Sequence, residues 1–580
     1  MRKNVLSLSI AAMIGGLGFA GAASAGVSVQ VGAAGTTQTG STTATSLVMS
    51  ADGVGHNLLT PYYSVQNGNG TLLSIVNTDA TNGKAVKVRF RGAANSDDVF
   101  DFTVLMSPGD VWTANVYKGE NGLARIFTPD NSCTLPRRST LNATSFKTDR
   151  VFGADDAAKA VQTLEGYVEI FNMADIPPTL PGTAAGGVVV NAATTFANPL
   201  YTAIKHVAGK NPCGSTADGA SLPAAVLALQ SNPATAGSVN NAATAADDKA
   251  VLDKGLWAPT SGLMGSWTLL NQTSGFVSWS ANMVAVEARA AGAKAPGRVV
   301  FSPQMDTTVA GNVINLLTSD PLLRTTGAVG SSGIVAAAEY DLPDMSTPYV
   351  LAANLTDDNV AAAQAADADK PLVQARLLTA SLAVKNVMNE YVTNPLINAQ
   401  TDWVFSMPTR RYAVGVNYAA ATKPAAVFNT AAATGVVSAD NISKYFTDVN
   451  TKMGTAGSSG NPTYQACVET GAGASTVTAY DQEETSASSD FVVSPGTAKK
   501  VVFCGETSVL TINSTSSLGA TIAAKDIQTG FSSGWMNIAT TGNGSIGLPV
   551  IGHAFVKMTG AAVAGKSTNY SITQEHRYTR

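Results

Sequence analysis

The sequence predicts a mainly β protein, with β-sandwich domains of immunoglobulin-like or jelly-roll-like kind and a few inserted helices. Three observations carry this. Short runs of alternating apolar and polar residues recur along the chain, and Gly, Pro and Asn punctuate them at turn spacing. Charged residues make up only 13% of the chain, against 45% hydrophobic. A large surface must therefore be covered by Ser, Thr, Asn, Gly and Ala, a palette that suits exported β proteins and self-assembling surface proteins.

Taken in order, Arg2 and Lys3 form a basic start, Val5–Ala20 is mostly apolar, and Ala23-Ser24-Ala25 is a small-residue cleavage box. Residues 1–25 read as a secretory signal peptide. Cleavage would remove two of the 36 Lys+Arg and leave 34 against 40 Asp+Glu, a net charge of −6, which offers no electrostatic case for nucleic acid. No later stretch supplies the roughly 20 consecutive apolar residues of a spanning helix, so no transmembrane segment is expected after signal cleavage. Residues 26–55 are patternless and rich in Gly, Thr, Ser and Ala, a flexible leader or an edge strand that needs a partner. The remaining length exceeds what one core usually supports. It divides into an N-terminal β-sandwich region, 56–300, with an insertion at about 214–254, and a C-terminal β-rich region, 301–580.

In the first region Val86, Val88 and Phe90 alternate with Lys87, Arg89 and Arg91, which predicts a half-buried strand. Phe100, Phe102, Val104 and Met106 form its partner across the polar turn Gly92–Asp98. Further strands are expected at Leu72–Val76, Val111–Val116, Gly166–Met173, Gly275–Val286, Gly297–Phe301, Trp403–Met407, Lys500–Phe503, Val509–Ile512 and Trp535–Ala539. Val373, Leu377, Ala380, Val384, Val387, Met388 and Tyr391 repeat at helical spacing behind Pro371, predicting a helix over about 371–391. A shorter Ala-rich helix would start at Asp357 or Asp358. The stretches 215–250, 419–438, 454–462 and 474–489 read as polar insertions or surface loops.

Four cysteines, Cys133, Cys213, Cys467 and Cys504, accompany the export signal, and an even count in an oxidising compartment argues for disulfides. Four cysteines allow three pairings. Cys133–Cys213 and Cys467–Cys504 are favoured because each bridge stays within its own half and closes a moderate loop. No two cysteines form a C-x-x-C pair of zinc or thioredoxin type.

Candidate chemistry is sparse. The histidines, His56, His206, His553 and His576, stand apart, and no nucleophile elbow is present. Gly542–Gly547 satisfies G-x-G-x-x-G but leads into Leu548-Pro549-Val550, not a phosphate-binding helix. Carboxylates cluster at Asp97-Asp98 with Asp101, at Asp155-Asp156 and at Asp357-Asp358. They read first as solvated turn residues, with calcium as the cofactor they could hold. No catalytic residue is assigned, and an enzyme is not expected. Trp112, Trp257, Trp267, Trp279, Trp403 and Trp535 are the reservoir for ligand stacking, although Trp403 reads as a packed residue.

Asp98–Trp112 (DVFDFTVLMSPGDVW), Ala124–Thr134 (ARIFTPDNSCT), Glu165–Met173 (EGYVEIFNM), Asn389–Val392, Thr401–Arg411 (TDWVFSMPTRR) and Gly547–Gly552 (GLPVIG) resemble exported cell-surface proteins of Gram-negative bacteria. The likeness runs from about Gly55 to the carboxyl end and departs in the long Ala/Thr/Ser insertions. It implies an exported β-rich surface protein and brings no catalytic residues. The composition is also similar to that of surface-layer proteins. The expected function is a structural cell-surface subunit that self-associates into a surface layer or coat, with possible attachment to the outer membrane or to glycan. The alternatives are a secreted adhesin or carbohydrate-binding protein and, less favoured, an exported hydrolase.

Overall fold

A computed structural model describes residues 29–31 and most of 44–304 and 371–580; the larger stretches outside it are 1–28, 32–43, 231–250, 305–370, 428–443, 454–465 and 488–500. The signal peptide and the Asp357/Asp358 helix start therefore lie outside the described residues. The fold is mainly β, in sheets that pack as sandwiches and are antiparallel except where Thr507–Ile512 pairs Ala524–Ile527 in parallel.

In the N-terminal half, an eight-stranded sheet runs Ala293–Lys294, Val284–Ala290, Asn57–Ser64, Glu165–Ile176, Gly83–Gly92, Asp98–Met106 and Cys133–Leu135, with Ser46–Met49 also paired to Val284–Ala290. A five-stranded sheet runs Val277–Asn282, Leu263–Asn271, Asn69–Asn77, Val111–Lys118 and Ala124–Phe127. Val86, Val88, Phe90, Phe100 and Phe102 from the first sheet meet Leu73, Ile75, Trp112, Trp267 and Leu269 from the second in one core. The alternation of each strand supplies that face, as the period-2 geometry requires.

The C-terminal half repeats the plan. One five-stranded sheet runs Ala524–Ile527, Thr507–Ile512, Ala399–Ser406, His553–Thr559 and Asn569–Glu575; the other runs Ser486–Ala487, Val477–Tyr480, Ser533–Ala539, Asn386–Val392 and Arg577–Thr579. Trp403, Phe405, Leu510, Ile512 and Ala554 face Val387, Tyr391, Met536 and Ile538 between them. The opposite side chains of the first sheet, Val404, Val509 and Phe555, enter the N-terminal core. Buried on both faces, these strands read as continuous apolar runs such as Trp403-Val404-Phe405. The Phe555 ring lies 5.7 Å from Trp267, 6.2 Å from Trp279 and 6.3 Å from Tyr62. Trp279 donates its indole N–H to the Val556 carbonyl at 2.9 Å.

The structure forms both favoured disulfides, Cys133–Cys213 and Cys467–Cys504. In the leader, Val29–Val31 pairs with Val299–Phe301 and Ser46–Met49 joins the large sheet, the edge-strand outcome.

Three expectations are corrected. The helix expected over 371–391 is Pro371–Leu382, and Asn386–Val392 is a strand. A spacing of four, as from Val387 to Tyr391, fits both one helical turn and two strand repeats, so this signal does not separate the two. The β-branched Val384, Val387 and Val392 and the helix-poor Asn386 and Asn389 tip the segment to strand. The 474–489 stretch, expected as loop, contributes Val477–Tyr480, whose Val477 and Ala479 are buried. The 83–92 strand is buried on both faces, not half-buried.

Candidate functional site

Lys87, Arg89 and Arg91 were expected in water, and the Asp97–Asp101 group as a solvated turn. All six side chains are at most 1% exposed. They line the outer face of the eight-stranded sheet, with Glu169 on the adjoining strand, opposite Arg89 in register. Lys87 donates to the Gln304 side-chain carbonyl at 2.8 Å and lies 3.9 Å from Asp101. Arg89 lies 3.7 Å from Asp101 and 3.9 Å from Asp98. Arg91 reaches Glu169 at 3.3 Å, and Arg411, from the C-terminal half, reaches the same carboxylate at 3.0 Å. Arg410 pairs with Glu506 at 2.5 Å. Burial pushes the Glu506 carboxyl up, against the opposing pull of Arg410.

The backbone locks this seam. The Ala93 carbonyl accepts from the Glu506 and Thr507 amides at 2.7 and 3.1 Å, and Tyr167 donates its hydroxyl to the Pro408 carbonyl at 3.2 Å. Gly505 has φ of +86°, and a Cβ there would stand 2.7 Å from the Ala93 oxygen, so only glycine permits this approach. Asp98–Trp112, Glu165–Met173 and Thr401–Arg411 thus meet in one buried ionic seam joining the halves. The charged side chains of this seam are buried and held in ion pairs within the chain.

Two more carboxylates tie in the 516–522 loop. Asp402 accepts from the Ser516 and Ser517 hydroxyls at 2.7 and 3.2 Å and from the Leu518 amide at 2.8 Å. Glu165 accepts from the Thr521 amide at 2.9 Å. Burial raises both carboxyls.

The remaining candidates separate in space. Asp155 caps the Asp156–Val161 helix by accepting from the Ala158 amide at 2.8 Å. The Gly542–Gly547 motif falls across the hairpin strands Thr541–Asn543 and Ile546–Pro549. His56, His553 and His576 are buried and held neutral by desolvation, with pKa values lowered to about 3, about 4 and about 3. His576 bonds the Val404 carbonyl through Nε2 and Asn389 Nδ2 through Nδ1, each at 3.0 Å, which suits the neutral ring with Nε2 donating. His206 is partly exposed, 3.7 Å from Asp110. Among the described residues no group of three or more His, Cys, Asp and Glu could hold a metal ion. Trp112, Trp267, Trp279 and Trp403 are at most 1% exposed and Trp257 is half-buried, whereas Trp535 is 40% exposed.

The face that meets solvent is the outer side of the N-terminal five-stranded sheet. Its register sets Met264, Val76 and Val111 in one row, Asn282, Ser266, Ser74 and Thr113 in the next, and Ser280, Thr268, Leu72 and Asn115 in a third. Leu72, Met264 and Val111 are 41%, 41% and 45% exposed. Thr268 and Ser280 share a hydroxyl–hydroxyl bond of 2.7 Å. The only charges on its five strands are Lys118 and Arg125, at one edge. At the opposite edge the Asn569–Glu575 strand lies alongside Val277–Asn282, the Ser571 hydroxyl donating to the Ser278 carbonyl, and it exposes Tyr570 (67%) and Ile572 (44%). Sequence reasoning named the scarcity of charge but not this face, because strand pairing alone gathers the rows.

Comparison with known proteins finds no matching family model, no matching curated protein and no matching solved structure. Among the described residues no helix is long and apolar enough to cross a membrane.

Proposed function

We propose that this chain is an exported structural protein of the cell surface that associates with copies of itself, as a surface-layer or coat subunit. The observation that carries the reading is the uncharged outer face of the Val277–Asn282 to Ala124–Phe127 sheet. Antiparallel sheets with one wet face usually present charged and polar residues there. This one presents hydroxyls, amides and aliphatic groups, which leave water at far lower cost than charges. Five strands about 4.8 Å apart and roughly seven residues long give a face on the order of 600 Å², comparable with the ~800 Å² each partner contributes to a stable interface. Export is supported by the signal-like first 25 residues and by two disulfides. Calcium is a proposal carried by the sequence alone, since Asp98 and Asp101 are engaged in ion pairs and Asp155 in a helix cap.

The test is the assembly state of purified mature chain, by analytical ultracentrifugation and electron microscopy, with and without calcium. The wild type is expected to form oligomers or sheets, and a Leu72→Lys/Thr268→Lys variant to stay monomeric with unchanged melting. A wild type that is monomeric at every concentration, with and without calcium, overturns the reading.

A further inference from the structure

The sheet from Ser486–Ala487 to Arg577–Thr579 forms the outermost layer of the C-terminal half and turns one face to solvent. On it Tyr480, Trp535 and Glu390 occupy directly paired positions on three neighbouring strands. The Tyr480 and Trp535 rings stack with centroids 4.4 Å apart and planes 11° from parallel. Trp535 still keeps 40% of its surface, more than any other tryptophan of the chain. One register step along the strands, Asn537 pairs with Met388 and Met388 with Arg577, which sets an amide next to Trp535 on its own strand and a guanidinium two strands away.

This combination has a defined chemical match. A sugar ring offers an apolar C–H face to an aromatic platform and a rim of hydroxyls to nearby donors and acceptors. Trp535, 40% exposed, supplies the platform with Tyr480 stacked against its other face, Glu390 an acceptor and Asn537 a donor. The turn after Tyr480 carries Asp481, Glu483 and Glu484, and Glu390 pairs with Trp535, so the platform end of this face is acidic, with Arg577 two strands away from Trp535. That field disfavours sugars bearing carboxylate or sulfate.

We propose that the Tyr480–Trp535 platform binds a pyranose unit bearing no acid group, in a glycan chain. The site lies on a different sheet from the assembly face, and neither depends on the other. It gives a coat subunit a means of holding an envelope polysaccharide, and it would serve an adhesin equally well.

The experiment titrates the full mature chain with chito-oligosaccharide, cello-oligosaccharide and polygalacturonate, following tryptophan fluorescence and, independently, calorimetry. Saturable binding of an uncharged or amino-bearing oligosaccharide is expected, with Trp535 shifting to the blue. Trp535→Ala should abolish the binding, Tyr480→Ala should weaken it by about tenfold, and Glu390→Ala, which leaves the stack in place, should weaken it as well. Matching far-ultraviolet spectra and melting temperatures show that each variant is folded. No saturable response to any acid-free oligosaccharide, undiminished binding by Trp535→Ala, or preference for polygalacturonate would each overturn the proposal.

Discussion

The two outer faces of the N-terminal sandwich are inverted relative to an ordinary soluble domain. On the eight-stranded sheet the outer face carries Lys87, Arg89, Arg91, Asp101 and Glu169, and all are buried. On the five-stranded sheet it carries Ser, Thr, Asn, Leu, Met and Val, and it is open to solvent. Charges tolerate burial only when partners stand at set distances, so a charged face accepts one mate in one register. Here Arg411 of the C-terminal half meets Glu169, while Lys87 meets Gln304 of the same chain. A face of hydroxyls and aliphatic groups demands less geometry and loses little on drying, which suits contacts repeated between copies. The difference teaches that charge here directs intramolecular docking, while the uncharged face is the one we propose for association.

The largest expected effect breaks the charged side. Arg411→Ala strands Glu169 with Arg91 alone and should lower stability by about 3–5 kcal/mol in urea unfolding. A loss below about 1 kcal/mol would show that the seam is ornamental and the comparison wrong. Next, Cys467→Ala/Cys504→Ala frees the turn that carries Glu506 and should cost about 4 kcal/mol on the chain-entropy relation, measured the same way under oxidising conditions.

Acid sharpens the contrast. His56, His553 and His576 have folded pKa values lowered to about 3, about 4 and about 3 from 6.5, so the folded state binds fewer protons. Their contribution is complete above pH 6.5 and is lost as pH falls through 6.5 toward 4, each at up to about 1.4 kcal/mol per pH unit. Glu165, Asp402 and Glu506 have raised carboxyls, and their contribution runs the other way: complete below the unfolded carboxylate range, it is lost as pH rises through the folded values. His576→Gln keeps a donor for the Val404 carbonyl and an acceptor for Asn389. It should flatten the pH 6.5–4 slope by up to one proton in a series of urea titrations, and an unchanged slope would show that His576 takes no part in acid unfolding.

The smallest effects lie on the open side. Asp155→Ala removes a helix cap and should cost about 1 kcal/mol, read as local hydrogen exchange in the Asp156–Val161 helix. Leu72→Lys/Thr268→Lys should change stability by no more than about 0.5 kcal/mol while abolishing association. Equal losses of stability from Arg411→Ala and from the lysine pair would erase the distinction between the faces.

Much of the architecture was legible along the chain. Val86, Val88 and Phe90 announce a strand with one core face, Asp98–Met106 announces its hairpin partner, and the even cysteine count in two separated pairs announces the bridges. The Asn386–Val392 strand was not legible as such, because its buried residues recur at a spacing common to helix and strand. Tyr480 was hidden in a stretch whose composition reads as loop, although Val477-Thr478-Ala479-Tyr480 already alternates. The proposed assembly face left a trace only in composition.

By itself, the sequence determined the secondary structure of most elements and the scarcity of surface charge, since backbone periodicity and composition are local and additive. Only the tertiary structure decided that Lys87, Arg89 and Arg91 point into a covered seam, that the Trp403-Val404-Phe405 strand is packed on both faces, and that Trp535 alone among the tryptophans stays open. Alternation states that a strand has two unlike faces. What covers each face depends on residues hundreds of positions away, and Glu169 meeting Arg411 is a matter of how two sandwiches dock.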